Sequence, residues 1–246
     1  MTPLATRTRP SALDGFVALY RLFIKGQLTR LRALGLLSLG GIGIILTAVA
    51  RTSDDVADTA TGVLAEYGLG VVAPVCTLWV ATSLLGDLVE DRLLAYLWLK
   101  PIPRWVMPAA AVAAVLTIMV PVVVVPLTIA AVVSGVSDLV VATAVASLLA
   151  VAAYAGLFVA LGARFTRALW WGLLYILVWE NAIARIADGT AQLAVRSYVV
   201  SILSRATDVD LSLADRSPAA SVIVPIVIAV GGVAAATVIL RRRDVD

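Results

Sequence analysis

Six apolar runs divide this chain, and each is long enough to cross a lipid bilayer as a helix. They cover Ala33 to Ala50, Leu64 to Leu85, Val106 to Val133, Leu139 to Leu161, Ala168 to Ile186 and Ala219 to Leu240. A hydrocarbon core about 30 Å thick takes about 20 helical residues. Inside it each backbone N–H and C=O must find its partner within the segment, which leaves the helix as the default element. Only 14% of the residues are charged, against roughly 25% in soluble domains, and mean hydropathy is +1.01. The runs therefore predict an all-α, polytopic membrane protein with six transmembrane helices. The first is rich in glycine (Gly35, Gly40, Gly41, Gly43), which admits a close neighbour. The third carries Pro108, Pro121 and Pro126 and should be kinked or tilted.

Charges between the runs set the orientation. Arg7, Arg9, Arg21, Lys25, Arg30 and Arg32 precede the first run. Arg51 alone is basic before the second, against Asp54, Asp55, Asp58 and Glu66. Arg92, Lys100 and Arg104 follow the second run, Asp138 the third, Arg164 and Arg167 the fourth, and Arg241 to Arg243 the sixth. Basic loops stay on the cytoplasmic side, so both termini are expected there. The segment from 187 to 218, with Arg196, Arg205 and Arg216 balanced by Asp208, Asp210 and Asp215, is expected outside, as short helices at the interface. The net charge of +3 sits at membrane edges, which argues for topology and against nucleic-acid binding.

Met1 to Pro10 is polar and basic, with no apolar core directly behind its charges, unlike a signal peptide. Ser11 and Asp14 match a capping box, so a helix should start there and run to about residue 32. Phe16, Leu19, Tyr20, Phe23, Leu28 and Leu31 fall near one face, and Arg21, Lys25 and Arg32 on another. This reads as an amphipathic helix in the cytoplasmic interface. The plainer reading is a solvated, basic start to the first span.

Residues 86 to 105, GDLVEDRLLAYLWLKPIPRW, place Asp87, Glu90, Asp91, Arg92, Lys100 and Arg104 between two spans. Such charges do not lie bare in hydrocarbon, so the segment leaves the bilayer. Asp87 to Trp98 reads as a short helix with acids in its first turn, where the helix dipole favours them. Pro101 and Pro103 end it, since proline cannot donate a helical hydrogen bond. The result is a knob with an acidic end, an apolar side (Leu93, Leu97, Trp98) and a basic end, shaped to dock in a partner's cleft.

On these residues the chain resembles the ABC-2-type transporter permeases. Their first cytoplasmic loop has acids after the second span, a Leu-rich turn and a Pro-x-x-Arg ending. Here those parts are Glu90-Asp91-Arg92, Leu93 to Leu99 and Pro101 to Arg104, with Leu93-Leu94 where the family often has Gly-Thr. The resemblance implies the membrane subunit of an ATP-driven exporter in a bacterial plasma membrane. Asp87, Glu90, Asp91, Arg92, Leu97, Trp98, Lys100, Pro101 and Arg104 would then engage separate ATPase subunits, which hold the ATP and magnesium. A second copy, or a related permease, would complete the path. A second reading is a subunit that passes ATP-driven motion to an extracellular or lipid-anchored partner without transporting. A secondary transporter of the major facilitator type also carries charges after its second span. Gly86 to Asp91-Arg92 is one residue too long for that pattern, and the following Gly-Arg is absent.

The chain offers little for catalysis. Its only lysines, Lys25 and Lys100, follow no glycine loop, so it builds no phosphate-binding loop of its own. There is no histidine, which removes the commonest metal ligand and general base. Cys76 reads as a small core residue. No cofactor or metal is expected. Within the spans, Thr77, Ser83, Tyr154, Tyr175, Glu180 and Asn181 are candidates for a substrate path. Hydroxyls there more often bond a neighbouring helix. Glu180 has two readings: an intramembrane functional acid, or a wetted residue at the end of its span behind an interfacial Trp179.

Overall fold

The computed structural model describes residues 12–27, 30–90, 103–180, 194–211 and 216–242, without the side chains of 30–32 and 85–90. All regular elements among the described residues are helical. In order they are α1 (Ala12–Gln27), α2 (Arg30–Ala50), α3 (Val56–Val63), π1 (Leu64–Val72), α4 (Ala73–Glu90), α5 (Val106–Met119), π2 (Val120–Val124), α6 (Val125–Ser134), α7 (Ser137–Arg164), α8 (Ala168–Leu174), π3 (Tyr175–Glu180), α9 (Val195–Thr207) and α10 (Pro218–Arg242). π1 and π2 are wider turns set within continuous helices, and π3 continues α8 to Glu180, where the described stretch ends.

Among the described residues five stretches are long and apolar enough to cross a membrane: Ala33–Ala50, Val56–Leu84, Val106–Ser134, Ser137–Arg164 and Pro218–Arg242. They coincide with five of the six expected runs. The fifth run differs. Its described part, Ala168–Glu180, is a shorter apolar helix, rising about 20 Å at most against a core of about 30 Å. Its expected remainder to Ile186 lies outside the described residues.

Local chemistry explains the element ends. The Asp55 side chain accepts the Asp58 N–H at 3.1 Å and caps α3. Gly135 ends α6 at φ 81°, a left-handed conformation open to glycine, and turns the chain into α7. Pro121 lies in π2, where it cannot donate a backbone bond, and the helix widens there. That widened turn is where the structure puts the irregularity expected of the proline-bearing run.

The long helix α7 is the axis of the bundle, in contact with α4, α5, α6, α8, α9 and α10. Lipid tails are as apolar as leucine, so close packing, not water exclusion, holds such helices together. Alanines at 142, 146, 150 and 153 let neighbours approach α7. The tightest crossing is with α10. A Cβ at Gly156 would sit 2.5 Å from the Ala229 carbonyl oxygen, and one at Gly232 would strike the Gly156 backbone. In α2, Gly40 meets Pro126 and Gly43 meets Tyr67 and Leu127, whereas Gly35 and Gly41 face open space.

The two ends of the bundle carry different charge. At one end Arg51 donates to the Val133 carbonyl at 3.3 Å, and Thr61 meets Thr207 at 3.3 Å. Asp54, Asp55, Asp58, Asp138, Asp208 and Asp210 gather at this end of their elements. At the other, Arg104 donates to the Arg241 carbonyl at 2.9 Å, and a cleft brings Arg164 beside Arg242. Exposed Trp105 immediately precedes α5, and exposed Trp170 and Trp171 lie in the first turn of α8.

Helix α1 starts right after Ser11 and buries Gly15, Leu19, Phe23 and Gln27, one position per turn. Arg21 and Lys25 stay exposed. Its buried face packs mainly on α5. Tyr20 Oη meets Thr117 Oγ1 at 2.9 Å, about 16 Å along α5 from Val106. The contact with the bundle therefore extends well past the start of α5.

Candidate functional site

Two places in the molecule concentrate charge between or within the spans. The first is the loop between α4 and α5. Helix α4 runs unbroken from Ala73 through Glu90, so the backbone does not leave the helix at Gly86 and Asp87 and Glu90 are its last turns. This corrects the expected start of a separate short helix at Asp87: nothing between Leu85 and Glu90 interrupts the helix, and glycine alone does not. Asp91, Arg92, Leu97, Trp98, Lys100 and Pro101 lie outside the described residues. Arg104 is exposed, and its bond to the Arg241 carbonyl ties the entry of α5 to the last turn of α10. That carbonyl is one of the unpaired acceptors at a helix C-terminus, where a cation is favoured.

The second place lies inside the bundle. Glu180, the last described residue of π3, is 1% exposed. Its carboxylate accepts the Tyr175 hydroxyl at 2.8 Å, the Val195 N–H at 3.1 Å and the Arg196 N–H at 3.2 Å. The last two are the first N–H groups of α9, which no helical carbonyl can satisfy. Glu180 is thus a carboxylate cap supplied from fifteen residues back, placed where the helix dipole favours negative charge. This overturns the reading of Glu180 as a wetted residue at a span end.

Arg196, also 1% exposed, pairs with Glu66 at 2.5 Å. Its guanidinium lies against Gly70, where a Cβ would come within 3.0 Å of Cζ. Gly70 is near the midpoint of the Val56–Leu84 span, so this charge sits deep in the bundle. Glu66 itself is half exposed. Tyr154, fully buried in α7, stacks on Phe158 at 5.6 Å, and Phe158 meets Tyr175 edge-on at 6.3 Å. The Tyr154 hydroxyl faces the Glu180 carboxyl without forming a well-shaped hydrogen bond.

Of the path candidates, Tyr154, Tyr175 and Glu180 come together in this cluster. Thr77 instead bonds the Ala73 carbonyl of its own helix at 2.6 Å. Ser83 donates to Gln27 Oε1 at 3.0 Å and so joins α4 to α1. Asn181 lies outside the described residues. The cluster also holds two residues the sequence reading put elsewhere. Glu66 was counted among the outer acids and Arg196 among the outer mixed charges. The first turn of α9 is buried at Val195, Arg196 and Ser197, and the helix packs on α7 and α10, so it does not lie flat on an outer surface. A sequence signal was present: Glu66 falls inside an apolar run, and Arg196 stands between Ala194-Val195 and Val199-Val200.

Chemically, the cluster gathers one cation and two acids around a helix start: Glu66 pairs with the Arg196 guanidinium, Glu180 takes the first N–H groups, and two tyrosine hydroxyls lie beside them. Among the described residues no group of histidine, cysteine, aspartate and glutamate could hold a metal ion. Cys76 is buried in α4. No protein-family model matches the chain, and no curated protein matches it at a significant level.

Proposed function

We propose that this chain is the membrane-spanning subunit of an ABC-2-type, ATP-driven exporter that moves a hydrophobic or amphipathic substrate. In this reading it spans a bacterial plasma membrane six times, with the run that begins at Ala168 as the fifth crossing. Its arginine-rich end and both termini are cytoplasmic. Helix α1 lies at that face, with Arg21 and Lys25 toward the headgroups. Two ATPase subunits dock beneath and hold the nucleotide and magnesium. Closure of the ATPases moves the segment from Asp87 to Arg104, and α4 and α5 carry the motion into the bilayer.

The observation that carries the reading is the charged, proline-ended segment joining α4 to α5 at the end of the bundle where Arg104, Arg164, Arg241 and Arg242 gather. A second observation agrees with it. The Glu66 carboxylate is half exposed within a membrane-spanning helix. An acid at that depth faces protein or water, not lipid. A second permease copy or a water-lined path satisfies that condition.

The test is to purify the chain from its native membrane and ask what accompanies it. A nucleotide hydrolase with a phosphate-binding loop is the expected companion. Glu90→Ala with Arg104→Ala in the assembled complex should uncouple ATP hydrolysis from export while both chains remain associated with the membrane. Full coupling in that variant removes the proposed role of the segment. Transport that persists on an ion gradient without any hydrolase assigns the chain to secondary transport instead.

A further inference from the structure

At the arginine-rich end, the last turns of α7 and α10 enclose a cleft of about 350 Å³ lined by Ala163, Arg164, Val238, Ile239 and Arg242. Two exposed guanidinium groups from different helices share it, and among the described residues no carboxylate lines it. Like charges held together gain from a shared counter-ion, and a guanidinium presents paired donors that match phosphate oxygens. The remaining walls are apolar. Val238 is half exposed on a helix whose outer face also shows Ile223, Val227 and Val230, so the cleft opens sideways along a lipid-facing surface. Arg164 lies over the Phe165 ring at 5.5 Å, and Phe165 stacks on Trp171 at 5.2 Å. With exposed Trp170 beside them, these rings mark the level at which aromatic side chains meet headgroups.

We infer that the cleft between Arg164 and Arg242 binds the phosphodiester headgroup of an anionic membrane lipid, with its chains along Val238 and Ile239. A soluble anion would use the guanidinium pair but not the apolar walls. The site lies on the α7–α10 pair, away from the loop between α4 and α5, and depends on the membrane placement alone. It stands whether or not the exporter reading does. Basic pockets between membrane helices at the cytoplasmic face suit such headgroups, and each basic residue near the surface contributes about a fivefold preference.

The experiment is lipid retention by the full chain, purified in neutral detergent and measured by native mass spectrometry. Phosphatidylglycerol, phosphatidylcholine and inorganic phosphate are supplied in separate arms. We expect phosphatidylglycerol to be held about 30-fold over phosphatidylcholine. Arg164→Gln with Arg242→Gln should erase that preference, and Arg164→Lys with Arg242→Lys should keep most of it. Each variant is first shown to elute at the position of the parent. Asp244→Asn with Asp246→Asn, which removes the acids next in sequence, should leave the preference unchanged. Equal retention of the two lipids overturns the inference, as does a preference that survives the glutamine pair. Displacement of the lipid by millimolar phosphate assigns the cleft to a soluble anion, and a stronger preference in the asparagine pair assigns it to the chain's own acids.

Discussion

Arg104 and Arg196 are the same side chain in opposite situations. Arg104 is exposed at the end of the bundle and donates one bond to the last turn of α10. Arg196 is 1% exposed, pairs with Glu66 and opens a helix whose N–H groups are capped by Glu180. Water can replace the partner of the first at little cost. Arg196 and Glu180 are each 1% exposed, although Glu66 is half exposed, so the buried members of the cluster depend on one another. The comparison separates two uses of charge: at the surface it remains available to partners and lipids, and in the interior it fixes how helices meet.

The largest effect should come from the interior. Glu180→Ala leaves the Val195 and Arg196 N–H groups and the Tyr175 hydroxyl without their acceptor. Breaking a buried charged network in this way costs about 3–5 kcal/mol. Glu180→Gln keeps an acceptor oxygen but loses the charge that the helix start favours, and should cost about 1–3 kcal/mol. Thermal unfolding in detergent, followed by the loss of helical signal, ranks the three proteins. An alanine variant as stable as the parent would break the contrast, because the carboxylate would then be dispensable to α9.

A smaller loss should follow where packing, not charge, fixes the interior. Gly156→Ala places a Cβ against the Ala229 carbonyl of α10 and forces the two helices apart, at about 1–3 kcal/mol. Gly41→Ala on α2 has nothing within 4 Å and should be neutral or slightly stabilising, as alanine favours the helix. The same unfolding measurement distinguishes the two. Equal effects would mean that α7 and α10 do not meet at their backbones.

Five long apolar helices were legible because their signal is local: a long apolar run with charges at its edges needs no knowledge of the rest of the chain. Gly40 could be read as a contact glycine for the same reason. The cluster around Glu180 was not legible in full. Tyr154, Tyr175 and Glu180 stood out as polar residues within apolar runs. Their partners did not, because Glu66 and Arg196 each lie next to outer loops and a charge count assigns them there. Only the return of α9 into the bundle brings Arg196 under Glu66, and no periodicity encodes that return. The π turns were similarly hidden. Pro121 signalled one of them, whereas Tyr175–Glu180 and Leu64–Val72 contain no proline.

Among the polar substitutions the smallest effect on stability belongs to Arg104, and it is the most informative about function. Arg104→Ala removes the exposed bond to the Arg241 carbonyl, an acceptor that water can satisfy. Unfolding should shift by no more than about 0.5 kcal/mol. Coupling of ATP hydrolysis to export in the assembled complex should nevertheless fall, because the guanidinium stands at the exit of the segment assigned to the ATPase contact. Tyr175→Phe makes the opposite pattern. It deletes a buried bond to a carboxylate and should cost about 1.5–3 kcal/mol without touching that contact. If the two variants changed coupling in proportion to their stability, the division between surface and interior charge would fail. Loss of coupling in the stable variant alone would place Arg104 in the transmission of motion.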